Sequence, residues 1–210
     1  MAAVSLRSCR RGLSLMLRNA GVAAVPSQHL QGLYNCSLPR VKGKSPGVVF
    51  LPGYGSNMNG RKAEALAEFC RSLGHSYLRI FVFLYYFSVI SPYLNLQTRK
   101  ELETKGEWSL PTKHTEEGVY KFSMDFLREA ENHCVLQSPI PITCPVRLIH
   151  GLKDEDVPWH ISMQVAERVL SPDVDIILRR NGQHRMSEKD DIKLMVYTID
   201  DLIDKLTTMV

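Results

Sequence analysis

Short apolar runs alternate along the chain with longer stretches whose apolar residues follow a helical spacing. Residues 47–51 (GVVFL) are an apolar run bounded by prolines, which predicts a buried β-strand that ends in a loop. In residues 61–73 apolar side chains recur at i, i+3, i+4 and i+7, and Gly74 is a natural end for a helix. The pattern predicts a strand, a loop and a helix in that order.

The same alternation returns in the second half of the chain. Residues 146–150 and 174–178 are two further apolar runs, and residues 158–170 between them begin with a proline that suits the first turn of a helix. The most regular helical stripe, in residues 188–206, consists of Ile192, Met195, Val196, Ile199, Leu202, Ile203 and Leu206. This alternation predicts an α/β fold with a largely parallel sheet and helices on both faces.

A further helix is predicted over residues 115–136. Thr115 is a good N-cap, and Val119, Phe122 and Phe126 keep an apolar stripe at helical spacing.

Charge is distributed unevenly over the 210 residues, which are enough for one domain with a sizeable core. Residues 1–63 contain nine Lys or Arg and no acid, although the net charge of the whole chain is only +4. Without residues 1–30 the chain has 22 basic and 22 acidic residues. We therefore expect no nucleic-acid partner, because the body has no basic excess.

Residues 1–30 combine Arg with Ala, Leu, Ser and Val and contain no acid. This composition is typical of a mitochondrial transit peptide, with an approximate end at residue 30. It predicts a mitochondrial protein, in the matrix, whose folded domain spans residues 41–210. The alternative is a disordered basic tail.

Residues 80–98 carry no charge and hold six of the seventeen Phe, Trp and Tyr residues. Pro92, Asn95 and Gln97 interrupt the apolar run before it reaches the roughly 20 residues that a membrane helix needs. We expect no stable membrane span. The segment is predicted to fill part of the protein core or to lie exposed as an aggregation hazard.

Two polar residues follow neighbouring predicted strands. Asp154 follows the strand at 146–150, and His184 follows the strand at 174–178. Because the carboxyl ends of parallel strands meet at one edge of a sheet, we expect Asp154 and His184 to lie close together. Acid before histidine is the chain order of a Ser-Asp-His hydrolase.

The cysteines indicate neither a metal site nor a disulfide framework. The five of them, of which two lie in the front segment, form no C-x-x-C and no Cys/His spacing suited to zinc. No metal and no cofactor are predicted.

Three motifs resemble those of the α/β-hydrolases. HGLKDEDVP at residues 150–158 resembles their acid-bearing loop, and Gln183-His184-Arg185 resembles their histidine loop. Leu51-Pro52-Gly53-Tyr54-Gly55 resembles the oxyanion loop, whose backbone N–H groups face the developing negative charge. The resemblance covers roughly residues 41–78 and 99–210 and is greatest to mitochondrial thioesterases of that family.

This resemblance implies hydrolysis of acyl thioesters and acyl esters, with S-acylated proteins, such as palmitoylated ones, and acyl glucuronides as substrates. Asp154 would fix the tautomer of His184, and His184 would take a proton from a serine. Gly53, Tyr54 and Gly55 would belong to the oxyanion loop.

The serine that this chemistry needs is absent from the expected place. The only G-x-S-x-G is Gly43-Lys44-Ser45-Pro46-Gly47, which precedes a strand, whereas the family's nucleophile turn follows one. Its Pro46 also has no N–H to donate to an oxyanion. Ser45 is therefore interpreted as a turn residue, and residues 80–98 as a divergent segment that replaces the central strands and the nucleophile turn.

The sequence thus predicts an incomplete α/β-hydrolase fold and the loss of the enzyme activity. The alternative is a non-catalytic acyl-binding or interfering variant, which the predicted helix at 115–136 favours because it resembles part of a substrate-covering cap. A substitute nucleophile, Ser56 in the oxyanion loop, is the third hypothesis.

Overall fold

A computed structural model describes residues 2–5, 21–25, 40–51, 59–79, 96–112, 116–126 and 136–208. The chain forms two compact units, one made of Met1–Leu84 with Pro141–Val210 and the other of Tyr85–Ile140. The strands of the first unit are β1 (Ala2–Ser5), β2 (Gly21–Val25), β3 (Arg40–Val41), β4 (Lys44–Phe50), β5 (His75–Arg79), β8 (Val146–Gly151) and β9 (Val174–Arg179). Its helices are α1 (Arg61–Leu73), α3 (His160–Arg168) and α4 (Lys189–Thr208). The second unit contains α2 (Leu96–Lys105), β6 (Glu107–Pro111) and β7 (Val119–Ser123).

The first unit is built on a seven-stranded sheet in the order β3-β5-β4-β2-β1-β8-β9. Parallel pairing joins β4 to β5 and β8 to β9, and both of these pairs run in the same direction. β1 and β2 lie between the two pairs and run the opposite way. The predicted α/β class is confirmed, with the four strands that the helices connect all parallel.

Helix α1 connects β4 to β5 and packs into the main core. Gly74 ends the helix with a φ of 73°, and its N–H donates to carbonyls of the last turn, as the sequence predicts. The buried side chains of α1 pack with those of α4 against β4, β5 and β8. The core cluster is formed by Val48, Phe50, Ala63, Leu66, Ala67, Cys70, Tyr77, Ile149, Met186, Met195, Ile199, Leu202 and Ile203.

Helix α3 connects β8 to β9, which completes the second parallel unit that the sequence predicts. The helix packs against both strands. β8 is buried along its whole length, whereas β9 is half-buried. Asp154 lies in the loop that follows β8. The burial of this strand therefore fixes where that loop begins.

The front of the chain contributes to the sheet, although we expected residues 1–30 to lie outside the fold. β2 pairs with β4 from Val22↔Phe50 to Val25↔Gly47, and β1 pairs with β8 from Ala2↔Leu148 to Val4↔Val146. β2 and β1 lie between β4 and β8 in the sheet. The backbone N–H and C=O groups on the inner edges of β4 and β8 therefore form hydrogen bonds with the front segment. Removal of residues 1–30 on import stays a prediction.

The second unit contains a β-hairpin where a helix was predicted from residue 115. β6 and β7 pair antiparallel, with Trp108 opposite Phe122 and their ring centroids 5.8 Å apart. Gly118 adopts a φ of 68°, which favours a turn at the residues expected to form the first helical turn. The prediction of a helix is wrong at 119–123, because Val119, Tyr120 and Phe122 suit a strand and Phe122 is buried on one face of it.

Most of the segment at 80–98 lies outside the described residues, which resume at Leu96 with the start of α2. Among the described helices, none has the length and hydropathy needed to cross a membrane.

Candidate functional site

The loops after β8 and β9 are held together by their backbones. The N–H of Lys153 donates to the carbonyl of Gly182 at 2.9 Å, and the N–H of Leu152 donates to the carbonyl of Arg179 at 2.9 Å. Gly151 permits this contact, because a Cβ at that position would overlap the carbonyl group of Gly182. The acid-bearing loop and the histidine loop are therefore fixed side by side by main-chain contacts.

Asp154 and His184 meet at this edge of the sheet. Nδ1 of His184 lies 3.0 Å from Oδ1 and 3.1 Å from Oδ2 of Asp154. The Asp154 side chain is 7% exposed, whereas the imidazole is 30% exposed. A buried carboxylate thus faces one nitrogen of a partly exposed imidazole, which is the geometry of an acid that orients a general base.

The turn after Asp154 supplies further donors to the carboxylate. The backbone N–H of Asp156 donates to its Oδ1 at 3.0 Å, and that of Val157 donates to the same oxygen at 2.8 Å. Burial raises the pKa of Asp154, but hydrogen bonds from His150, His184 and Val157 outweigh it and hold the pKa well below its ordinary value. Asp154 is therefore ionised at neutral pH and stabilises positive charge on an adjacent imidazole.

The histidine loop is anchored in the main core. Met186, two residues after His184, is buried and belongs to the core cluster. Lys62, in the first turn of α1, donates from Nζ to the carbonyl of Arg185 at 2.7 Å. Burial, together with the charge of Arg185, lowers the pKa of Lys62 to about 8 although Asp191 opposes the shift. The burial of Met186 and the hydrogen bond from Lys62 both restrain the backbone on the C-terminal side of His184.

Two further residues of the site, His150 and Ser162, were not identified from the sequence. The imidazole of His150 lies between the hydroxyl of Ser162, 2.7 Å from Nδ1, and the carboxylate of Asp154, 3.4 Å from Nε2. The signal for His150 was a polar residue at the end of a wholly buried strand. Ser162 had no such signal, since it is one polar residue on a half-buried helix.

A cation has one candidate set of ligands among the described residues. Ligand atoms of Asp154, Asp156 and His184 lie within 4.8 Å of one another. The His184 nitrogen nearest to Asp154 already faces its carboxylate as a hydrogen-bond partner, so a metal there would displace that contact. We assign no metal to the site.

Some predicted residues lie outside the described part of the chain, namely Gly53, Tyr54 and Gly55 of the oxyanion loop and Ser56. Ser45 is described and lies within β4, where the carbonyl of the next residue, Pro46, accepts from Nδ1 of His75 at 2.9 Å. The prediction of a turn residue is wrong for Ser45, because the strand begins at Lys44 and not at Gly47. The G-x-S-x-G at residues 43–47 therefore leads into a strand and not into a helix.

Comparison with known proteins identifies the family. The chain is 41% identical over 270 aligned positions to the mitochondrial palmitoyl-protein thioesterase ABHD10 of Bos taurus, which covers 98% of this chain and 85% of the relative. The identity, the length and both covered shares are the same for the protein of that name from Homo sapiens. The chain belongs to the ABHD10 family of α/β-hydrolases.

Solved structures agree with this assignment. Mouse α/β-hydrolase domain-containing protein 10 matches with a TM-score of 0.73 and 42% identity, over 80% of this chain and 93% of that one. A putative hydrolase from Agrobacterium vitis, at 20% identity over 74% of this chain and 87% of its own, has the same fold with a TM-score of 0.66. No protein-family model matches the chain.

Membership of the ABHD10 family confirms two predictions from the sequence. The resemblance of the sequence to the α/β-hydrolases is confirmed as a family relationship. The mitochondrial localisation predicted from residues 1–30 agrees with the ABHD10 relatives, which are mitochondrial proteins.

Gly151→Ala is expected to destabilise the chain by about 1–3 kcal/mol, the usual cost of overpacking. The added methyl group would overlap backbone atoms of Gly182, which have no side-chain freedom to move away. Urea unfolding checks this expectation, with Lys153→Ala, an exposed position in the same loop, as the matched control. Equal stability of the two variants would contradict the close contact between the loops.

Asp154→Asn is expected to reduce the loss of stability in acid. Because the pKa of Asp154 is lower in the folded than in the unfolded state, its charge stabilises the fold above the unfolded-state pKa of about 4. This stabilisation disappears as the pH falls through the folded-state pKa. Free energies of unfolding measured between about pH 7 and about pH 3 should therefore fall less in the variant than in the parent chain.

The control for this measurement is Asp201→Asn, at an exposed position on α4. Its pH dependence should match that of the parent chain. An Asp154→Asn variant with the same acid sensitivity as the parent would show that the carboxylate is not stabilised in the folded state.

Proposed function

We propose that this chain is a form of the mitochondrial acyl-thioester hydrolases that keeps the acid and the histidine but lacks the nucleophilic serine. The observation that carries the proposal is the contact of 3.0 Å between Nδ1 of His184 and Oδ1 of Asp154, at the carboxyl ends of adjacent parallel strands. The one G-x-S-x-G in the sequence, at residues 43–47, leads into strand β4 and not into a helix, so it does not complete this pair.

Asp154 and His184 have defined roles in such a hydrolase. The carboxylate accepts the Nδ1–H of His184, which leaves Nε2 as the nitrogen that takes a proton from a nucleophile. When that proton arrives, the negative charge of Asp154 stabilises the imidazolium. Both groups therefore act through the proton of a third group, and without that group they have little to contribute to the rate.

The length of the alignment supports the loss of a segment. The alignment with the ABHD10 relatives has 270 positions and the chain has 210 residues, so at least 60 aligned positions have no residue in this chain. The divergent residues 80–98 stand at the point where the resemblance to the family is interrupted.

The substrate class follows from the family. Relatives of this chain are palmitoyl-protein thioesterases, so S-acylated proteins are the proposed substrates, and acyl glucuronides are proposed as the ester counterpart. The proposed compartment is the mitochondrial matrix. Both substrates present an acyl carbonyl that an attacking serine would convert to an oxyanion.

The test is hydrolysis of a palmitoyl thioester by the purified chain, measured beside the bovine relative. We expect a rate lower by orders of magnitude; a comparable rate would overturn the proposal. Saturable binding of the thioester without turnover would favour the non-catalytic acyl-binding variant, and absence of binding would exclude that alternative.

A further inference from the structure

His150 is a buried histidine with a partner on each ring nitrogen. Its residue exposure is 7%, at the end of β8. Nδ1 lies 2.7 Å from the hydroxyl oxygen of Ser162, and Nε2 lies 3.0 Å from the carbonyl oxygen of Val157. Nε2 is also 3.4 Å from Oδ2 of Asp154. The ring therefore connects helix α3 to the acid-bearing loop.

The partners assign the proton on this ring. A carbonyl oxygen only accepts hydrogen bonds, so Nε2 carries the proton and donates it toward Val157 and Asp154. In the neutral ring Nδ1 is then the acceptor, and the hydroxyl of Ser162 donates to it. Ser162 thus favours the one tautomer of His150 that presents an N–H to the carboxylate.

The carboxylate of Asp154 is consequently held from two sides. Its Oδ1 accepts from the N–H groups of Asp156 and Val157, while its Oδ2 faces Nε2 of His150. Val157 takes part on both sides, because its carbonyl accepts from the same ring nitrogen. These contacts restrict rotation of the carboxylate in the orientation that faces His184.

We propose that Ser162 and His150 are positioning residues, which act in sequence to hold the carboxylate of Asp154 in line with Nδ1 of His184. The inference deepens the proposed function, on which it rests for the pairing of Asp154 with His184 as hydrolytic machinery. Partners of this kind fix the tautomer and orientation of a functional side chain without touching the substrate.

A positioning role differs from a purely structural one in what Ser162→Ala changes. If Ser162 only packs α3 against β8, its removal alters stability and leaves the proton on His184 where it was. If Ser162 positions the acid, its removal frees His150 to change tautomer, weakens the hold on Asp154, and loosens the hydrogen bond of the His184 Nδ1–H.

The experiment is NMR of the 210-residue chain with 15N-labelled histidine rings. In the parent chain we expect His150 protonated on Nε2 and His184 protonated on Nδ1, with the Nδ1–H signal of His184 protected from exchange. Ser162→Ala should shift the ring nitrogens of His150 toward the other tautomer and remove the His184 Nδ1–H signal through faster exchange. Ser162→Thr keeps the hydroxyl, so its His150 tautomer and its His184 Nδ1–H signal should match those of the parent chain.

Ser72→Ala is the matched control, since Ser72 is an exposed helical serine whose hydroxyl donates to the carbonyl of Phe69. It should leave both rings unchanged. Should Ser162→Ala fail to fold, Ser162→Cys provides a weaker donor of similar shape and is expected to change both rings in the same direction. An unchanged His184 Nδ1–H signal in a folded Ser162→Ala or Ser162→Cys chain would overturn the proposal.

The readout is a hydrogen bond and not a rate of hydrolysis. An unchanged signal would therefore count against the positioning residues alone, whereas rapid thioester turnover would count against the proposed function alone.

Discussion

Alanine substitution of Asp154 or His184 is expected to leave thioester hydrolysis by this chain unchanged, at a level about three or more orders of magnitude below that of the bovine relative. In a complete serine hydrolase, removal of one member of the triad lowers turnover by about 10⁴-fold to 10⁶-fold, because the members act as a unit. Once the serine is missing, removal of another triad residue lowers the rate only slightly. Initial rates on a palmitoyl thioester, for the parent chain and both variants, give the comparison.

Lys153→Ala is the control for these rates, because it lies in the acid-bearing loop and is exposed. A further fall in rate in His184→Ala would contradict the expectation, since it would mean that His184 still moves a proton for an attacking group. Labelling with a fluorophosphonate, repeated on Ser45→Ala and Ser56→Ala, would then locate an activated serine or leave water as the attacking group.

Asp154 and His184 were predictable from the sequence because simple rules place them. Two short apolar runs separated by one helix form adjacent parallel strands, and polar residues just after such strands meet at the same edge. The order of acid and histidine, together with the motifs around them, then limits the chemistry. Nothing in this inference depends on distant parts of the chain.

His150 and Ser162 were not predictable in the same way. Their contact joins the end of β8 to a half-buried serine of helix α3, so it depends on how the helix is rotated against the sheet. Apolar spacing does not determine that rotation closely, because none of the residues of α3 is fully buried.

The hairpin of β6 and β7 exposes a different limit of sequence reasoning. Residues 119–126 satisfy both a helical spacing of apolar side chains and the preference of Val, Tyr and Phe for strands. Pairing with β6, through Trp108 and Phe122, decides in favour of the strand. Tertiary pairing of this kind overrides a local helical pattern.

Removal of residues 1–30 is expected to destabilise the chain severely and to promote its aggregation. Four residue pairs join β2 to β4 and three join β1 to β8, so the truncated chain leaves the facing edges of β4 and β8 without partners. Each buried backbone group that loses its hydrogen bond costs about 1–3 kcal/mol, against a total stability of about 5–15 kcal/mol for a typical domain. Unpaired apolar edges also associate with other chains.

Thermal unfolding and light scattering of residues 31–210, beside the full chain, measure both effects. Adding a peptide of residues 1–30 to the truncated chain should restore part of the stability, because the peptide can pair with the same two edges. If import into mitochondria removes this segment, the mature chain is the less stable form, and its sheet must close by a different pairing. Equal unfolding temperatures for the two chains would contradict the insertion of β1 and β2 and would leave the front segment with a targeting role alone.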